Sequence, residues 1–155
     1  MKPKILKFTR LDVPDIMEAA KHFENSGKLA ATNDELAYLN INDDYVHRLY
    51  PLLHQHFPEA EKPDYFGEGL IGAHVTVIYP EEKTSLIKKE IGREHEFKII
   101  DLFSAILNGK TYYALRVNAP TLIQLRREHH LPEKLCFKGH WVQMHVTIGT
   151  SYLFK

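Results

Sequence analysis

Ala73-His74-Val75-Thr76-Val77 and Met144-His145-Val146-Thr147-Ile148 read the same way, as apolar-His-Val-Thr-apolar. Both lie in runs rich in β-branched residues, which predicts a strand for each, over Ile71 to Tyr79 and over Trp141 to Ile148. Side chains alternate along a strand, so each His shares a face with its Thr, about 6.6 Å away. Val75, Val77, Val146 and Ile148 face the other way and are candidates for the core. The two histidines are 145 − 74 = 71 positions apart, close to half of the 155 residues. That spacing suits a duplicated architecture with one motif in each half.

Working outward, strand signals dominate the second half. Phe97 to Leu107 and Thr111 to Asn118 flank Asn108-Gly109, a strong two-residue hairpin signal. Lys134 to Phe137 reads as a short strand, Glu81 to Glu90 as a short helix, and Pro120 to His130 as a helix with Pro in its first turn. In the first half, Lys4 to Thr9 is a strand candidate. Asp12 is placed to cap a helix from about Pro14 that uses Ile16, Ala19, Ala20 and Phe23 and ends at Asn25-Ser26-Gly27. A polar stretch follows through Asp34. Asp43 to Phe57 is helical, kinked or split by Pro51, and Pro58 to Gly69 is a loop. The sum is an α+β fold with largely antiparallel strands. No linker divides it, so residues 1–155 are expected to form one domain.

Composition narrows the function. Hydrophobic residues make up 44% of the chain, enough for a core, and 20 acidic residues balance 20 basic ones. Bulk charge therefore does not advertise a nucleic-acid coat protein, and any phosphate recognition must be local. No apolar run approaches the roughly 18 residues of a membrane span, and no apolar segment of signal-peptide type follows the N-terminus. Cys136 is the single cysteine and cannot form an internal disulfide. A cytoplasmic protein, acting as a monomer and without membrane partners, is the expectation.

The paired motifs have a chemical rationale. In-line cleavage of a phosphodiester needs one proton removed from the attacking water and one delivered to the leaving oxygen. Imidazole titrates near pH 6.5, so one neutral and one protonated copy coexist near neutrality. Two threonine hydroxyls can donate to the non-bridging oxygens, where charge builds in the transition state.

On these motifs the sequence resembles the two-histidine phosphoesterase superfamily, which includes the RNA ligase-like cyclic phosphodiesterases. The resemblance implies a bilobal fold, two largely antiparallel sheets flanking a central cleft with helices packed outside. It also implies metal-independent action, without a cofactor, on 2′,3′-cyclic or 2′-5′ linked phosphates of nucleotides or RNA ends. His74 and His145 would then be catalytic, and Thr76 and Thr147 would hold the phosphate. A binding module that grips a nucleotide or RNA phosphate in the same cleft, without turnover, is the alternative.

Strand parity adds candidates. Trp141 and Gln143 share a face with His145 and Thr147, which puts Trp141 where it can stack on a base or cover a sheet edge. Tyr112 and Arg116 lie opposite the apolar face of Thr111, Tyr113, Leu115 and Val117. Arg116 can bind a phosphate bidentately if that face meets the cleft, and is otherwise a solvated surface residue. Tyr79 and Tyr152 follow the two motifs at unequal offsets and are cleft-edge candidates. Lys138 and Arg10 are further cations without positional warrant. The ten histidines include His54-x-His56, His129-His130 and His140, but no Cys cluster or HExxH pattern accompanies them, so no metal site is expected. The run Arg126-Arg127-Glu128-His129-His130 reads as the solvated end of a helix.

Overall fold

A computed structural model describes residues 3–152. In chain order the strands are β1 (Lys4–Ile5), β2 (Phe8–Leu11), β3 (Ser26–Ala31), β4 (Ala37–Asn40), β5 (His74–Ile78), β6 (Glu94–Glu96), β7 (Lys98–Leu107), β8 (Lys110–Asn118), β9 (Leu135–Phe137), β10 (His140–Val142) and β11 (His145–Tyr152). The helices are α1 (Pro14–Ala20), α2 (Asp44–His47), α3 (Tyr50–His56) and α4 (Pro120–Glu128).

Two antiparallel four-stranded sheets carry the architecture, in the orders β5-β4-β3-β6 and β11-β8-β7-β2. Each begins with a motif strand, continues through a hairpin and ends on a strand paired to the hairpin's first arm. The fourth strands are supplied differently. β6 follows its lobe's motif strand in the sequence, whereas β2 precedes everything else in the lobe it completes. A third, small sheet, β1-β10-β9, sets β1 parallel to β10.

The lobes also exchange cover. α2 and α3, which connect β4 to β5, pack on β11 of the other lobe, while α4, which connects β8 toward β11, packs on β5 and β6. One apolar core results. It joins Leu29, Leu39, Val75 and Val77 to Leu102, Leu115, Val146 and Ile148. The apolar positions read from the two motifs are all in it.

The α+β class and the antiparallel sheets match the expectation, and so does the hairpin. Asn108 and Gly109 have φ of 53° and 76°, the left-handed pair of a type I′ turn. Pro51 sits in the first turn of α3, and the expected helix is split between α2 and α3. Several expectations are corrected. Lys4 to Thr9 is not one strand but two, β1 and β2, in different sheets. The last strand is likewise broken after Val142, so β10 and β11 also serve different sheets. The polar stretch through Asp34 contains β3, and β4 follows it. These strands hid because only Leu29, Ala37 and Leu39 are buried along their ten residues. Glu81 to Glu90 is not a helix but two 3-10 turns, Pro80–Glu82 and Lys88–Glu90. Val13, not Asp12, occupies the N-cap of α1, with no capping side-chain bond.

The helix end at Arg126 is the largest correction. Arg127 is solvated, with a side chain 57% exposed, but Arg126 has none of its surface exposed. Its guanidinium donates Nε–H to the Pro132 carbonyl, Nη1–H to the Val77 carbonyl and Glu82 Oε1, and Nη2–H to Glu82 Oε2 and the Lys134 carbonyl. Five donors thus meet five acceptors, which is what makes a buried guanidinium tolerable.

Candidate active site

β5 and β11 approach each other across the lobe boundary without sharing a ladder. Their cavity-facing residues open into one cavity of about 450 Å³, lined by His74, Thr76, His145 and Thr147 among others. The two imidazoles are held alike. His74 Nδ1 lies 2.7 Å from the Gly72 carbonyl oxygen, and His145 Nδ1 lies 2.7 Å from that of Gln143. In both cases the acceptor belongs to the residue two positions earlier. A carbonyl can only accept, so Nδ1 carries the hydrogen and Nε2 is the nitrogen left for chemistry.

Burial pushes both imidazoles below their ordinary pKa of 6.5. For each, the carbonyl bond opposes that shift, and for His74 the nearby His145 adds to it. Without an anion present, the cavity therefore favours two neutral rings.

The support around His74 is more elaborate. Gly72 has a φ of +71°, and a Cβ there would stand 2.6 Å from Asp43 Oδ1. That oxygen accepts the Ala73 N–H at 2.9 Å, so the carboxylate pins the backbone just ahead of the catalytic candidate. Tyr65 then ties the lobes together. Its ring stands edge-on to His74, with centroids 4.7 Å apart, and its hydroxyl donates to the Thr147 carbonyl. Burial raises the Tyr65 pKa strongly, with Asp43 and Asp64 adding to it, so the phenol stays a donor. Phe103 backs His145 in a comparable edge-on contact, at 6.1 Å.

Each motif strand bulges at the residue after its threonine. Thr76 pairs with Tyr38 and Ile78 with Ala37, which leaves Val77 over; Thr147 pairs with Ala114 and Gly149 with Tyr113, which leaves Ile148 over. A bulge shifts the alternation by one. The cavity face therefore runs His74, Thr76, Tyr79 on one side and His145, Thr147, Thr150 on the other. Tyr79 is matched by Thr150, not by Tyr152. Burial raises the pKa of its phenol, and the neighbouring Thr76 side chain works against that shift.

Among the other sequence candidates, Trp141, Gln143, Arg116 and Lys138 all line the cavity, while Arg10 does not. Trp141 reaches it from β10, so its cavity-side position survives the break in the strand. Arg116 is opposite His145 in the ladder, but its guanidinium is engaged. It makes a two-point contact with Asp101, Nε to Oδ1 at 3.1 Å and Nη2 to Oδ2 at 2.7 Å, and Nη1 reaches Gln143 Oε1 at 3.1 Å. Among the described residues, no group of three His, Cys, Asp or Glu side chains is arranged to hold a metal ion, and no helix is long and apolar enough to cross a membrane.

Comparison with known protein families finds one described as Swiss Army Knife, 2H phosphoesterase domain, whose model matches residues 37–153 and so spans both motifs. The chain belongs to the two-histidine phosphoesterases. Searches of curated proteins and of solved structures gave no match. Membership makes this two-histidine phosphoesterase a hydrolase of phosphoesters in general terms. The match begins at β4 and leaves β1, β2 and β3 outside it. Three features of the site had no legible sequence signal: Tyr65 in an aperiodic loop, the Asp43–Gly72 brace, and Phe103 behind His145.

Proposed function

We propose that this chain hydrolyses a cyclic phosphate or phosphodiester, 2′,3′-cyclic or 2′-5′ linked, on a nucleotide or an RNA end. In this reading one of His74 and His145 is the general base that takes a proton from water, and the other is the general acid that protonates the leaving oxygen. Thr76 and Thr147 donate to the non-bridging oxygens. The observation that carries the reading is the matched tethering of the two rings. Both Nδ1 atoms are occupied by backbone carbonyls, so both Nε2 atoms are available at one cavity. A binding site would not need two titrating groups oriented this way; two proton transfers do.

Trp141 supplies a flat apolar surface for a base. Arg116, its charge shared with Asp101, serves better to fix Gln143 beside His145 than to neutralise a phosphate alone. One chain provides both motifs, so a monomer suffices, and nothing in the chemistry asks for a cofactor. A cytoplasmic setting, where nucleotide and RNA phosphoesters are found, suits it.

The purified protein should open a 2′,3′-cyclic nucleotide in the presence of a strong chelator. His74→Ala and His145→Ala should each lower kcat by about 10²–10⁴-fold, the usual worth of one general acid or base, with the melting temperature little changed. Full activity in both variants would discard the assignment.

A further inference from the structure

The cavity extends well beyond the two histidines, along β8. Arg116, Ala114, Tyr112 and Lys110 all face it, at about 7 Å per pair of residues. Their ladder partners on β11 are His145, Thr147, Thr150 and Tyr152. The reacting phosphate belongs at the His145–Thr147 level. Beyond it the wall becomes aromatic, then cationic. Tyr79 and Phe137 pack with centroids 4.6 Å apart, and Tyr112 stands edge-on to Phe137 at 6.3 Å.

Three lysines, Lys110, Lys134 and Lys138, line the cavity, with Lys110 and Lys138 beside the aromatic residues of this far end. Lys110 Nζ rests 5.1 Å from the Tyr112 ring and 5.2 Å from the Tyr152 ring, and Lys138 Nζ is 5.1 Å from the Phe137 ring. None of the three forms an ion pair among the described residues. The nearby Glu81 carboxylate is taken up by the Lys138 and Gly139 N–H groups and the Cys136 thiol. Asp64 also lines the cavity, but it acts on Tyr65, at the histidine end. On a chain with no net charge, three ammonium groups against the Glu81 carboxylate leave this part of the cavity with a positive excess.

We propose that the substrate carries a second phosphate, bound by Lys110, Lys134 and Lys138; the four-residue rise from Ala114 to Lys110 is about 13 Å, and the Lys110 side chain shortens that span by leaning over Tyr112. The nucleoside portion lies between the two phosphates, against Tyr112, Tyr79 and Phe137. This rests on the proposed function for the position of the scissile phosphate. It adds that a nucleotide phosphorylated at both ends of its ribose is preferred to one phosphorylated only at the scissile end.

The test is equilibrium binding by calorimetry with two product-like probes, adenosine 2′-monophosphate and adenosine 2′,5′-bisphosphate. The wild-type protein should bind the bisphosphate more tightly by on the order of tenfold or more, about 1.4 kcal/mol for each factor of ten. The triple variant Lys110→Ala, Lys134→Ala, Lys138→Ala should bring the two dissociation constants together, and Lys110→Arg should keep them apart. Equal affinities in the wild type, no binding of either probe, or a preference that survives in the triple variant would overturn the proposal. Turnover of a 2′,3′-cyclic nucleotide separates this result from the parent reading. Turnover with equal affinities removes only the second phosphate, whereas preferential binding without turnover removes only the hydrolase.

Discussion

At the residue scale, the two imidazoles are tuned by burial in the same direction, and that sets a pH dependence. With both pKa values below 6.5 in the folded protein, the singly protonated pair that acid–base catalysis needs is most populated on the acid side of 6.5. A pH profile of kcat/KM should be bell-shaped with its maximum there. The profile of kcat should lie at higher pH, because a bound phosphate anion favours the protonated ring. Linkage has a definite sign too. An unfolded chain protonates these histidines near their ordinary value, while the folded one resists. Their contribution to stability is therefore present above 6.5 and is lost as pH falls below it. Tyr65 offers a second test. Tyr65→Phe keeps the ring on His74 but deletes the bond to the Thr147 carbonyl, and should cost about 0.5–1.5 kcal/mol, read from urea denaturation. An unchanged midpoint would mean that this bond contributes nothing. His74, Thr76, His145 and Thr147 were legible in the sequence because their pattern repeats at strand spacing. Tyr65 was not, because a loop residue that acts through one hydroxyl leaves no period.

At the element scale, α4 is held by Arg126. Arg126→Met leaves the Glu82 carboxylate buried without its partner, and a loss of about 3–5 kcal/mol is expected. Arg127→Ala, on the exposed side of the same helix, should fall within about 0.5 kcal/mol of wild type. Equal effects from the two variants in chemical denaturation would contradict the buried five-donor arrangement. Adjacent arginines in identical sequence surroundings cannot be told apart by composition, since what separates them is which side of α4 meets the Val77 and Lys134 carbonyls. The bulges at Val77 and Ile148 are similarly silent in the sequence. They shift the cavity face by one residue, which is why equal spacing after each threonine, not residue type, identifies Tyr79 and Thr150 as counterparts. The hairpin at Asn108-Gly109 was legible because its turn chemistry is local. β3 and β4 were not, because partners from β5 and β6 stabilise them.

For the whole molecule, the exchange of helices between lobes predicts cooperativity. Each lobe's connecting helices cover the other lobe's motif strand, so neither core is complete alone. Urea unfolding followed by Trp141 fluorescence and by far-UV circular dichroism should give coincident transitions. Two separated transitions would show that the lobes fold independently. The duplicated plan could be inferred from the 71-residue spacing of the histidines, but the origin of each lobe's fourth strand could not, because both are short segments without a distinctive pattern. That origin bears on synthesis. Phe8 of β2 pairs with Ala105 of β7, 97 residues further along. At ribosomal rates of about 5–20 residues per second, the β2 segment waits roughly 5–20 s for the strand it will join. The first lobe has all four of its strands by Glu96, before most of β7 has been made. β2 is thus translated before every strand of the lobe it completes, and its two ends of life, emergence and docking, bracket the building of the other lobe.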